Sequence, residues 1–197
     1  VSQIGYLAFG LGLFTVAGVA AAVFSMVHHI VVTTALFLAS GLIERVGGSS
    51  RLTAVGGMVR KAPVLAALFL IPALSVAGIP PLSGFVSKFA LIDAGIEARQ
   101  YLIVGVSLLV SLLTLLSMIR IWGGVFWNPV EEQSFAPAST DGGTAALRRP
   151  GMMLSTAAVV VCSLAVAAAA GPLYALSNRT AHDLLDRTDY ITEVTRR

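Results

Sequence analysis

Lys88 stands in an apolar stretch just after a helix-breaking run, in Ala77-Gly78-Ile79-Pro80-Pro81-Leu82-Ser83-Gly84-Phe85-Val86-Ser87-Lys88-Phe89. Placing an ammonium at bilayer depth costs about 2.5 to 3.5 kcal/mol on insertion scales, so such a group faces a protein interior or a water-filled cavity. The neighbouring break points the same way, because unpaired backbone at membrane depth is tolerated only where protein or water satisfies it. Lys88 with Gly78, Pro80, Pro81 and Gly84 therefore reads as an ion or proton site built on an interrupted helix. Ser83 and Ser87 lie beside it and are candidates to orient water. The competing reading is a snorkelling lysine, whose stem stays in lipid while its head reaches the interface. Polar Asp93 lies about 7.5 Å of helix rise downstream, just within that reach.

His28 and His29 are the second chemical feature, near the middle of another apolar stretch. Histidine, with an unperturbed pKa of about 6.5, is the side chain suited to relaying protons at physiological pH. Adjacent residues on a helix face about 100° apart, so at most one of the two looks squarely into a given pathway. Hydrogen-bonded core histidines joining helices are the alternative. Metal binding is not expected, since the pair lacks the i, i+4 spacing that sets two ligands on one face.

The elements that must position these groups are apolar helices. The chain has 197 residues, 56% hydrophobic and only 12% charged, with a mean hydropathy of +0.86. That is far from the roughly 25% charged residues of a soluble domain. The composition predicts an all-α polytopic membrane protein with about five transmembrane helices, over 1–17, 19–43, 63–97, 101–127 and 152–176. The third is broken near 79–84, where two prolines oppose a straight helix. Residues 1–176 thus form a transmembrane domain, and 177–197 an amphipathic tail with Leu184, Leu185, Ile191 and Val194 recurring among charges. Such a helix lies on the membrane or on a neighbouring subunit. Trp122, Phe126 and Trp127 are expected at the membrane interface. Residues 128–150, rich in Pro, Ser, Thr and Gly, read as a mobile loop. Arg45, Arg51, Arg60 and Lys61 place the loop after the second span in the cytoplasm, and the spans alternate from there. Val1 runs straight into apolar sequence, so the chain is expected to begin inside a longer protein.

The same composition excludes several functions. Net charge is +3, and the arginines fall in loops and tail, so the basic balance reflects topology and no nucleic-acid partner is expected. The single Cys162 supports neither a disulfide framework nor a thiolate cluster and reads as a packing residue. No glycine-rich phosphate loop, nucleophile elbow or metal-ligand spacing is present. No cofactor is expected, and the chain reads as a transporter subunit rather than an enzyme.

These residues resemble those of a known family, the antiporter-like membrane subunits shared by Mrp-type multisubunit sodium/proton antiporters and respiratory NADH:quinone oxidoreductase. Val1-Ser2-Gln3-Ile4-Gly5-Tyr6 is similar to the family's serine-rich helix start, and His28-His29 before Ala35-Leu36-Phe37-Leu38 to its histidine-bearing helix. The run from Ala77 to Phe85, with Lys88-Phe89, resembles its broken helix with a central Lys or Glu. Leu108 to Leu115, Arg120-Ile121-Trp122, Phe126-Trp127, Leu184-Leu185-Asp186, Tyr190-Ile191 and Val194 resemble the D-type member of the Mrp antiporters. The resemblance implies the last five of about fourteen spans in the plasma membrane, in a hetero-oligomeric complex with other hydrophobic subunits that exchanges sodium for protons. Lys88 would be the charged residue of the second half-channel, and His29 would relay protons to one surface. Thr33 stands where many relatives carry lysine, and the charged residues of the first inverted half lie outside this chain. A proton-pumping subunit of the redox enzyme and a purely structural scaffold are the alternatives.

Overall fold

The computed structural model describes residues 2–47, 57–127 and 150–186, and every regular element among them is helical. The helices are α1 (Ser2–Gly12), α2 (Val16–Gly47), α3 (Met58–Lys61), α4 (Pro63–Ala77), α5 (Ser83–Glu97), α6 (Tyr101–Trp122), α7 (Pro150–Ala168) and α8 (Ala170–Leu185). A π-helical turn, Gly123–Trp127, extends α6. The loop expected over 128–150 lies almost wholly outside the described residues, as do Arg51 and the tail beyond Asp186.

Among the described residues, three helices are long and apolar enough to cross a membrane: Val16–Gly47, Tyr101–Trp127 and Gly151–Ala168. The protein is thus an all-α, multi-pass membrane protein. A helix rises about 1.5 Å per residue against a hydrocarbon core of about 30 Å. The 15 residues of α4 and the 15 of α5 are therefore each too short to cross alone.

α2 is the hub, packed against α1, α4, α5, α7 and α8. Its buried positions include Ala20, Ala21, Ala22, Ala35 and Ala39. Small side chains let neighbouring backbones approach closely, which in lipid is the main source of helix association. The C-terminal end of α2, the start of α4, the π-turn and the start of α7 meet in one cluster built on Leu42, Ile43, Met58, Leu65, Phe69 and Phe126, with Met152 and Met153 against it. At the opposite end, Val19 and Ala20 of α2 pack on Ala181 of α8.

Several local expectations give way to packing. Phe126 is buried against its own chain, stacked on Trp122 at 4.3 Å and tilted against Phe69 at 5.5 Å. The π-turn resets the register of the last turn of α6, which carries Val125 and Phe126 inward and leaves Trp127 exposed. Cys162 points outward and is exposed. The last apolar block is two helices meeting at Ala169, because Pro172 has no N–H for the Ala168 carbonyl and its ring opposes a continuous turn. α8 lays Ala170, Ser177 and Ala181 toward the bundle and packs along α2 of the same chain, so this part of the amphipathic segment has an internal partner.

Candidate functional site

The break is made by the backbone. Gly78 ends α4 in the left-handed region at φ 89°, with its N–H donating to the Ser75 carbonyl at 3.1 Å and the Ile79 N–H donating to the Leu74 carbonyl at 3.1 Å. This is a Schellman cap, which favours glycine because a side chain in that conformation meets its own carbonyl. A Cβ on Gly78 would also lie 2.9 Å from Lys88 Cδ. Residues 79–82 are non-helical, and α5 begins at Ser83. Gly84 then sits on the end of α4, where a methyl group would overlap the Ser75 carbonyl oxygen. The two half-helices therefore touch backbone to backbone at a place where the sequence has no side chain to hold them apart.

Lys88 is turned into the bundle, with 7% of its surface exposed. Its Nζ donates to the Ala77 carbonyl at 3.1 Å and to Ser111 Oγ of α6 at 2.8 Å, and lies 5.3 Å from the centroid of the Tyr6 ring. The Ala77 carbonyl is available because the cap ends the helix there. Snorkelling is thus not the geometry adopted. Among the described residues no carboxylate pairs with this ammonium; neutral oxygens and an aromatic face hold it.

A second polar line crosses between α2 and α5. His28 Nδ1 and Ser83 Oγ are 2.9 Å apart, and Ser83 Oγ is 3.4 Å from Ser75 Oγ of α4. Three residues before His28, Ser25 Oγ meets Ser87 Oγ at 2.6 Å. All five of these side chains are buried. Ser83 and Ser87 are one turn apart on α5, as Ser25 and His28 nearly are on α2, so the two pairs stack along the helix contact. A hydroxyl both donates and accepts, and neutral imidazole does the same through its two nitrogens. The connected His28–Ser83–Ser75 line is therefore equipped to pass a proton by exchange of hydrogen bonds.

The structure gathers Lys88, His28, Ser83, Ser87, Gly78 and Gly84 at one place, with Pro80 and Pro81 in the connecting turn. His29 is only half-buried and makes none of these contacts. His28, the histidine to which the resemblance gives no role, is the one that faces the break. Neither serine of α5 bonds Lys88; Ser111 does, and Ser83 and Ser87 serve the α2 line instead. Ser25 and Tyr6 escape sequence reasoning, although Ser25 lies one turn before His28 and Tyr6 is the one polar aromatic of its helix.

A charged side chain held at an interrupted helix in a multi-pass bundle is the kind of arrangement on which membrane transporters build ion sites. Comparison with known proteins is specific. The family profile described as NADH:quinone oxidoreductase/Mrp antiporter, TM, matches residues 1–114. The D-type Na(+)/H(+) antiporter subunit of Alkalihalophilus pseudofirmus is 39% identical over 197 residues, covering 98% of this chain and 38% of the relative. That of Bacillus subtilis is 36% identical over 132 residues, 67% of this chain and 27% of the relative. A chain in the structure of the Mrp complex from Dietzia sp. DQ12-45-1b matches with a TM-score of 0.82 at 34% identity, covering 96% of this chain and 42% of that one. The chain belongs to the NADH:quinone oxidoreductase/Mrp antiporter family, in its branch of D-type Mrp subunits. It spans about two fifths of the length of the Alkalihalophilus relative.

Proposed function

We propose that this chain is the proton-conducting C-terminal portion of the D-type subunit of a multisubunit Na+/H+ antiporter in the plasma membrane. Protons move along an intramembrane polar axis centred on Lys88, with His28 beside it and Ser83 and Ser75 completing the line. The α4–α5 pair acts as one broken span, which with α1, α2, α6 and α7 makes five spans, the last of about fourteen. The partners are lipid and the other hydrophobic subunits of a hetero-oligomeric complex, and the transported ions are H+ and Na+. No cofactor takes part.

One observation carries the reading. The Lys88 ammonium is buried at the break and, among the described residues, is held by neutral groups alone. A carboxylate partner would fix the amine in its charged form; a carbonyl, a hydroxyl and a ring supply no such counter-charge, which leaves Lys88 able to carry a proton. The named relatives, Na(+)/H(+) antiporter subunits, favour cation exchange over the redox-driven alternative.

The test is Lys88→Ala in the full-length subunit within its assembled complex, assayed in membrane vesicles by sodium-driven proton movement. Exchange is expected to vanish while the complex assembles normally. Full exchange in a well-assembled variant would leave Lys88 a structural cation and remove the reading.

A further inference from the structure

We infer that Tyr6 is a positioning residue for Lys88, an aromatic wall that keeps the ammonium at the helix break and out of a cavity between α1 and α6. The inference rests on Lys88 as the proton carrier only for its effect on exchange; the placement of the amine stands on geometry.

Tyr6 is 5% exposed and is fixed at both ends of its side chain. Its hydroxyl donates to the backbone carbonyl of Ser107 on α6, and its ring packs with Ala21 and Leu91. One turn further along α6, Ser111 Oγ accepts from Lys88 Nζ at 2.8 Å. Successive turns of α6 therefore hold the tyrosine and the lysine side by side, and the Nζ lies 5.3 Å from the ring centroid. An ammonium has three N–H donors. The Ala77 carbonyl and Ser111 take two of them, and the negative face of the ring lies beside the same Nζ.

Beyond the ring is a cavity of about 280 Å³, lined by Gly5, Tyr6, Phe9, Val106, Ser107 and Val110 among others. Tyr6 lines this space and Lys88 does not. The lining is almost wholly apolar, so a lysine stem that swung into it would bury well while its head lost both oxygen partners. Tyr6 blocks that swing. Its phenol is tied to α6 rather than to the lysine, so the wall stays in place whether or not the amine carries its proton.

The experiment uses the full-length subunit in its complex in bilayers, treated with phenyl isothiocyanate, a small apolar amine reagent. Modification is quantified at Lys88 and, as an exposed control, at Lys61. In the unmodified protein Lys88 is expected to react far more slowly than Lys61. Tyr6→Leu removes the ring and its cation–π contact, and is expected to speed modification of Lys88 about tenfold and to slow exchange about threefold to thirtyfold. Tyr6→Phe keeps the ring and is expected to keep the protection. Lys88 reacting as fast as Lys61 in the unmodified protein overturns the inference, even if Tyr6→Leu does not assemble. So does Tyr6→Leu without acceleration, or Tyr6→Phe accelerated as much as Tyr6→Leu. Protection that follows the ring while Lys88→Ala still exchanges normally would retain Tyr6 as the wall and reject only the proton-carrier role.

Discussion

Ser83→Ala removes one oxygen and leaves the fold's apolar contacts in place. Ser83 Oγ is 2.9 Å from His28 Nδ1 and 3.4 Å from Ser75 Oγ, in a setting where all three side chains are buried. With the hydroxyl gone, the ring nitrogen has no partner on α5. A buried polar atom without a partner costs about 1–3 kcal/mol. Ring rotamers that turn Nδ1 elsewhere then gain on the aligned one, and at 1.36 kcal/mol per factor of ten the aligned population falls about fivefold to 150-fold. If protons pass through that aligned state, exchange should fall by about thirtyfold, near the middle of this range. The assay is sodium-driven collapse of a proton gradient in inverted membrane vesicles, reported by a pH-sensitive dye and normalised to assembled complex. Ser87→Ala is the matched control: it breaks the 2.6 Å bond to Ser25 but leaves His28 its partner. Ser25 then bonds back to its own helix, as serines in helices readily do, and exchange should stay within about twofold of the unmodified rate, since such back-bonding restores the hydroxyl's partner. Full exchange in Ser83→Ala, or equal losses in both variants, would refute the His28–Ser83 line as a conduction element.

Two further outcomes follow from the same geometry. His28→Ala should depress exchange well below His29→Ala, because only His28 faces the break; the reverse order, measured in the same vesicles, would return the relay to His29 and mean that the α2–α5 contact is differently rotated in the working complex. Gly84→Ala drives a methyl group into the Ser75 carbonyl and to 3.2 Å from His28 Cε1. Overpacking of this kind costs about 1–3 kcal/mol, so the detergent-solubilised complex should unfold at lower temperature and exchange should fall with it, whereas an unchanged melting temperature would be incompatible with half-helices in backbone contact.

The break was legible in the sequence because its causes are local. Gly78 caps, Pro80 and Pro81 forbid helix, and Lys88 stands out against apolar neighbours whatever the tertiary structure. The partners of Lys88 were not legible. They come from α1, α4 and α6, and one is a main-chain carbonyl that no residue type announces. The choice between His28 and His29 was equally hidden, since α2 is apolar all round and nothing in its composition says which side meets α5. Membrane helices blur the usual signal of burial: a leucine facing lipid and one facing protein look alike, and Cys162, of a type most often buried, stands exposed. Pro172 is the counter-example, a visible residue whose effect on the last apolar block can be read directly once its missing N–H is followed to Ala168.

The most direct measurement of the central claim is exchange by Lys88→Arg in the assembled full-length complex. Arginine keeps the positive charge and can still donate to the Ala77 carbonyl and Ser111, but its guanidinium does not release its proton at any working pH. A lysine that works by giving up and regaining a proton predicts assembly without sodium-driven exchange. Exchange at the unmodified rate in Lys88→Arg would mean that a fixed charge suffices, and would contradict proton carriage by Lys88.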